Sequence, residues 1–94
     1  MNEPTLPADA RRLDVTGTRC PLPILLAARE MKRLAAGDLL EVIGDDPAIL
    51  EDMPVWCERA GHHLLEIAQI QGQVRSLLRK GPPKPQRSLD PASL

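Results

Sequence analysis

Glycines at positions 17, 37, 61 and 72 cut the chain into short segments, and the spacing of apolar residues changes at each cut. Ahead of Gly17, Leu13 and Val15 flank Asp14 in the alternation of a short, half-buried strand over residues 12–15. Over residues 21–35, Ile24, Ala28, Met31 and Ala35 fall on one helical stripe while Arg29, Glu30, Lys32 and Arg33 face away. After Gly37, residues 38–44 set Leu40 and Val42 about Glu41, with enough aliphatic residues for a central strand. Asp46 and Pro47 then form a cap and first-position pair for a second helix. That helix turns Ile49, Met53, Ala60 and either Trp56 or Cys57 inward and stops at Gly61, and Pro54 within it predicts a kink or an irregular turn near Met53. Residues 63–70 and 73–79 flank Gln71-Gly72 as two antiparallel strands joined by a two-residue turn.

The predicted order is β-α-β-α-β-β. Its economical solution is an α/β fold, a two-layer α/β sandwich with a mixed four-stranded sheet and both helices on one face. One compact domain over residues 11–80 fits a length of 94 residues. Residues 1–10 lack periodicity, and residues 81–94 hold Pro82, Pro83, Pro85 and Pro91, so both read as flexible tails. With Trp56 as the single aromatic residue, the core must be aliphatic.

A net charge of −1 with both signs interspersed offers no field for phosphate backbones, and the basic C-terminal end (Arg75, Arg79, Lys80, Lys84, Arg87) lacks interleaved aromatics for stacking. Direct nucleic-acid binding is therefore not expected. No apolar run reads as a leader or a membrane anchor, and Cys20 and Cys57 resemble reduced intracellular thiols, which together predict a cytoplasmic protein. No glycine fingerprint for dinucleotides, phosphate loop, zinc signature or serine elbow occurs, and the adjacent His62 and His63 point to opposite faces of a strand entry. The expected chemistry uses no cofactor and no metal.

Four features converge on Cys20: the glycine-containing turn before it, the neighbouring Arg19, the cap position of the first helix, and Pro21, whose fixed φ suits the first helical residue. The helix N-terminus and Arg19 both predict a lowered thiol pKa. Pro21 and Pro23 stiffen the loop and hold the sulfur outward. A second sulfur on this thiolate makes a persulfide whose outer atom a partner's thiolate can attack. Cys57, on the apolar stripe of the second helix, reads as a packing residue. Leu22 and Leu26, with Arg29 and Arg33 continuing that side of the helix, are candidates for partner docking.

Leu13-Asp14, Gly17, Arg19, Cys20-Pro21-Leu22-Pro23, Gly44, Asp46-Pro47, Trp56-Cys57 and Gly61-His62 resemble the TusA/SirA/YedF family over residues 12–80. The resemblance implies a two-layer α/β sandwich that relays sulfur as a persulfide on Cys20, with Asp14, Arg19, Pro21 and Pro23 supporting the loop. It also implies a cysteine desulfurase or rhodanese-like donor and a thiol-bearing acceptor, met by a monomeric carrier. The branch that serves tRNA thiolation typically has an acidic residue between the two prolines, where this chain has Leu22, which counts against that role; other branches, including carriers that serve dissimilatory sulfur oxidation, are similar to this chain in having an apolar residue there, and the pathway stays open among sulfur oxidation, tRNA thiolation and cofactor sulfuration. The alternative is a non-catalytic regulatory or adaptor domain that docks a partner through the first helix. A disulfide-based sensor joining Cys20 and Cys57 lacks the spacing of a resolving pair.

Overall fold

In the computed structural model, which describes residues 10–82, the elements are β1 (Arg11–Asp14), α1 (Leu22–Met31), β2 (Leu39–Gly44), α2 (Ile49–Ala60), β3 (His63–Ile70) and β4 (Gln73–Arg79). The sheet order is β1-β2-β4-β3. β1 runs parallel to β2, and β4 runs antiparallel to both β2 and β3, so β4 is inserted between two strands of like direction. This is the mixed four-stranded sheet of the expected two-layer sandwich. At the β3–β4 hairpin, Gln71 and Gly72 both take positive φ, 52° and 79°, matching the right-handed twist of the strands they join. The tails expected at residues 1–10 and 81–94 lie outside the described residues except for Ala10, Gly81 and Pro82.

Leu40 and Val42 of β2 and Val74 and Leu78 of β4 line the inner face of the sheet. Ala27 and Met31 from α1, Ile49, Met53 and Cys57 from α2, and Val15 close over them, giving the aliphatic core that the composition demands. Between the two candidates on α2, Cys57 is the buried one. Trp56 is half-buried and leans on the His62 ring at 5.2 Å. On the outer face the carboxylate of Glu41 is buried between the guanidinium groups of Arg12, at 3.1 Å, and Arg75, at 2.6 Å, so one charge ties β1, β2 and β4 together. Among the described residues no helix is long and apolar enough to cross a membrane.

Three local expectations shift. α1 ends at Met31, short of Ala35, and its buried residues are Pro23, Ala27, Glu30 and Met31, so the inward stripe is rotated by about one residue. Glu30, expected to face away, is buried because it pairs with Arg11 of β1 and lies 3.9 Å from Arg33. α2 runs unbroken through Pro54, whose missing N–H leaves only the Leu50 carbonyl without its i+4 donor. The irregular turn sits earlier, where Ile49, Leu50 and Glu51 donate to the carbonyls of Asp46, Pro47 and Ala48 in tight three-residue steps.

The last described residues are part of the packed unit. Gly81 is buried and its N–H donates to His62 Nδ1 at 3.1 Å, while Lys80 Nζ donates to the Leu34 carbonyl at 2.6 Å. A Cβ at Gly81 would lie 1.8 Å from the Gly61 carbonyl oxygen. Gly81→Ala should therefore lower unfolding free energy by about 1–3 kcal/mol in urea titrations, as for other over-packed sites.

Candidate functional site

Because β1 and β2 are parallel neighbours, their C-terminal ends emerge side by side, and the loops that follow each strand meet there. The first loop is turned by Asp14, whose carboxylate accepts the Thr16 hydroxyl and, at 2.9 Å, the Thr16 N–H. These bonds hold the Asp14 carboxyl below the usual carboxylate range. Thr18 then closes on the Val15 carbonyl through its hydroxyl at 2.6 Å and its N–H at 3.2 Å.

Two consecutive aspartates after β2 receive this loop. Asp45 Oδ1 accepts the Gly17 N–H at 3.0 Å and pairs with Arg19 Nη1 at 3.2 Å. Asp46 Oδ2 accepts the Cys20 N–H at 2.7 Å, and its other oxygen accepts the Ala48 N–H at 3.0 Å. Those two backbone bonds, the one from Cys20 foremost, hold the Asp46 carboxyl below its usual range. The expected cap and first-position pair thus lies two residues early, since the N-cap of α2 is Ala48; Asp46 holds the turn that leads into the helix and clamps the cysteine loop with the same carboxylate.

Cys20 stands one residue before the position expected. Pro21 occupies the N-cap of α1 and Leu22 begins the helix, with the Leu22 N–H donating to the Arg19 carbonyl at 2.9 Å. The Cys20 side chain is half-buried against the core, and Pro23 is buried beneath the loop. Burial pushes the thiol up to about 11, reinforced by a hydrogen bond to the Asp52 carboxylate, by the charge of Asp52 and by Asp46. This reverses the expected lowering. Arg19, counted on to face the sulfur, is turned to Asp45 and to the Thr18 carbonyl. Cys57, in the core under α2, is pushed up to about 12 by burial.

Of the residues singled out for docking, Leu22 is 44% exposed, but Leu26 is half-buried against the core. Leu25, 59% exposed, takes the outer place because of the rotated stripe, and Val55 of α2 adds a third exposed aliphatic side chain. Arg29 is exposed on α1, whereas Arg33 lies beyond the helix end near Glu30. Asp45 and Asp52 join the site without having been singled out. Asp45 could have been suspected from its place directly after a strand parallel to β1. Asp52 carried no signal, since an acidic residue in the first turn of a helix is ordinary.

Two measurements check this geometry. Asp46→Asn should destabilise the fold by an amount fully present above about pH 4, near the unfolded carboxyl's value, and lost as pH falls through the lower folded value; thermal melts across a pH series read the difference. In a Cys57→Ser background, Cys20 alkylation by iodoacetamide should climb about tenfold per unit between about pH 7 and pH 10, as a thiol with a high pKa requires.

The family model for sulfurtransferase TusA matches residues 11–80. Sulfur carrier proteins TusA of Pseudomonas putida strains F1 and GB-1 are each 40% identical to this chain over 68 residues, which cover 72% of this chain and 85% of each relative. The crystal structure of a SirA-like protein from Desulfitobacterium hafniense superposes with a TM-score of 0.65 at 22% identity, covering 76% of this chain and 97% of that one, and shares its fold. From β1 to β4, then, the chain belongs to the TusA family of sulfur carriers.

Proposed function

We propose that this protein accepts sulfane sulfur as a persulfide on Cys20 and relays it to a thiol-bearing acceptor. The observation that carries this reading is the placement of Cys20. The residue is clamped by Asp46 at the mouth of α1, beside the exposed Leu22 and Leu25, where a partner can reach the sulfur without entering a pocket.

In loading, the Cys20 sulfur attacks the outer sulfur of a donor persulfide; a new S–S bond forms, the donor's S–S bond breaks, and the donor departs as a thiol carrying the proton that Cys20 gives up. Unloading is the same exchange with an acceptor thiolate attacking the outer sulfur and Cys20 leaving as thiol. Neither step needs a cofactor, metal or oxidant. Asp14 turns the loop, Arg19 anchors it to Asp45, and Pro21 and Pro23 stiffen it. Leu22, Leu25 and Arg29 form the docking face, with Leu26 supporting it from below. The donor belongs to the cysteine desulfurase or rhodanese-like class, and the carrier works as a monomer in the cytoplasm, supplying sulfur oxidation, tRNA thiolation or cofactor sulfuration.

The competing reading is an adaptor domain that docks through α1 while Cys20 stays chemically idle. Intact-protein mass spectrometry after exposure to a cysteine desulfurase with cysteine, or to polysulfide, separates the two. Wild type and Cys57→Ser should each gain one reducible sulfur and Cys20→Ser none; loading indifferent to Cys20 would hand the protein to the adaptor reading.

A further inference from the structure

We infer that His62 is a proton-operated latch at the base of the sheet: its neutral ring fastens Gly81 behind β4, and protonation hands the ring to Trp56 and frees the chain after Lys80. The latch lies at the end of the sheet opposite Cys20, because β4 runs antiparallel to β2 and leaves where β1 and β2 begin. It does not depend on whether Cys20 carries sulfur.

The geometry supplies a fixed point, a tie and a second resting place. The fixed point is Lys80: its N–H donates to the Asp38 carbonyl and its own carbonyl accepts the Gly37 N–H, both at 2.8 Å, while its Nζ donates to the Leu34 carbonyl at 2.6 Å. One residue on, the tie is the Gly81 N–H donating to His62 Nδ1 at 3.1 Å, a bond that only an unprotonated nitrogen can accept. Gly81 has no slack to retreat into, since even a Cβ there would lie 1.8 Å from the Gly61 carbonyl oxygen. A proton on Nδ1 therefore sets two N–H groups against each other with the glycine backbone already in contact behind. The second resting place is Trp56, whose ring centroid lies 5.2 Å from that of His62, within reach of a cation–π contact once the imidazole is charged. Each protonation state thus has its own partner, which is the condition for a two-state switch.

The charged and titratable groups facing the ring are Lys80 from the β4 exit and His63 from β3, and from α2 it meets the Trp56 ring. Burial first, then Lys80 and His63, hold the His62 pKa below its usual value. The latch is closed at neutral pH and opens in mild acid, below about pH 6.5. Because the unfolded ring takes its proton more readily than the folded one, the stability that the closed latch contributes is complete above about pH 6.5 and is lost as pH falls through the lower folded value.

The test is a pH series on the full-length, isotope-labelled chain, read by nuclear magnetic resonance and by the fluorescence of Trp56, the single aromatic residue. Ring-nitrogen shifts follow the protonation of His62, and amide exchange, corrected for its intrinsic pH dependence, follows the hold on Gly81. As the ring protonates, Gly81 protection should fall by about tenfold or more and Trp56 emission should drop with the same midpoint, while amides of the central strands β2 and β4 stay protected. His62→Asn, which keeps an acceptor near the place of Nδ1 but does not titrate, should hold Gly81 across the series, and His62→Ala should leave it unprotected at every pH. If circular dichroism shows that His62→Ala does not fold, wild type and His62→Asn decide the matter. The inference is overturned if Gly81 stays protected while the ring protonates, or if the ring stays neutral until the central strands open. It is equally overturned if Trp56 emission stays flat through the titration, or if His62→Asn loses Gly81 protection with acid as wild type does.

Discussion

The carboxylate of Asp46 is the junction on which the functional end of the molecule depends. One oxygen receives the Cys20 N–H and the other the Ala48 N–H, so the loop entering α1 and the turn entering α2 are fastened to a single group. Charge-assisted bonds of this kind are roughly twice as strong as neutral ones, and both lie at a helix start where backbone donors would otherwise go unpaired. The parallel pairing of β1 with β2 is what makes the junction possible, since it delivers both loops to the same edge of the sheet. Asp45 adds a parallel tie through Gly17 and Arg19, and the cysteine loop is consequently held by the strand next door more than by its own helix.

That dependence explains why the chemistry at Cys20 differs from what local rules suggest. A cysteine near a helix N-terminus beside an arginine is ordinarily an activated thiolate. Here burial of the sulfur is the first cause of the raised thiol pKa, the carboxylate of Asp46 that secures the loop adds to it, and the arginine is spent on Asp45. Position and reactivity are set by the same groups and pull in opposite directions. On the relay proposed for Cys20, a thiol with a high pKa is a poor leaving group, so sulfur held there passes slowly to small thiols.

The elements were legible in the sequence because glycine and proline punctuate the chain between them; β3 and β4 match their expected residues throughout, with Gln71-Gly72 between them. Helix α1 was legible in existence but not in phase. Its apolar residues nearly encircle the first turns, with Leu22, Ile24, Leu25, Leu26 and Ala27 in one run, so periodicity alone could not choose between neighbouring stripes. The choice is made by Pro23, buried under the cysteine loop, and by Arg11, which draws Glu30 inward. The importance of Cys20 could be read from its neighbours, but its electrostatics could not. Asp46 and Asp52 lie 26 and 32 positions away along the chain, and only the parallel sheet and the direction of α2 bring them to the sulfur.

A register irregularity between Leu64 and Glu66 interrupts the pairing of β3, which is the outermost strand beside β4. Bulges and exposed charges along an outermost strand prevent a second sheet from adding on. On the proposed relay of one sulfur per encounter, flux scales with the number of copies present, and abundance is the condition under which sheet edges aggregate. The interruption in β3 is in this sense a concentration tolerance written into the backbone, letting the protein be plentiful without becoming a fibre.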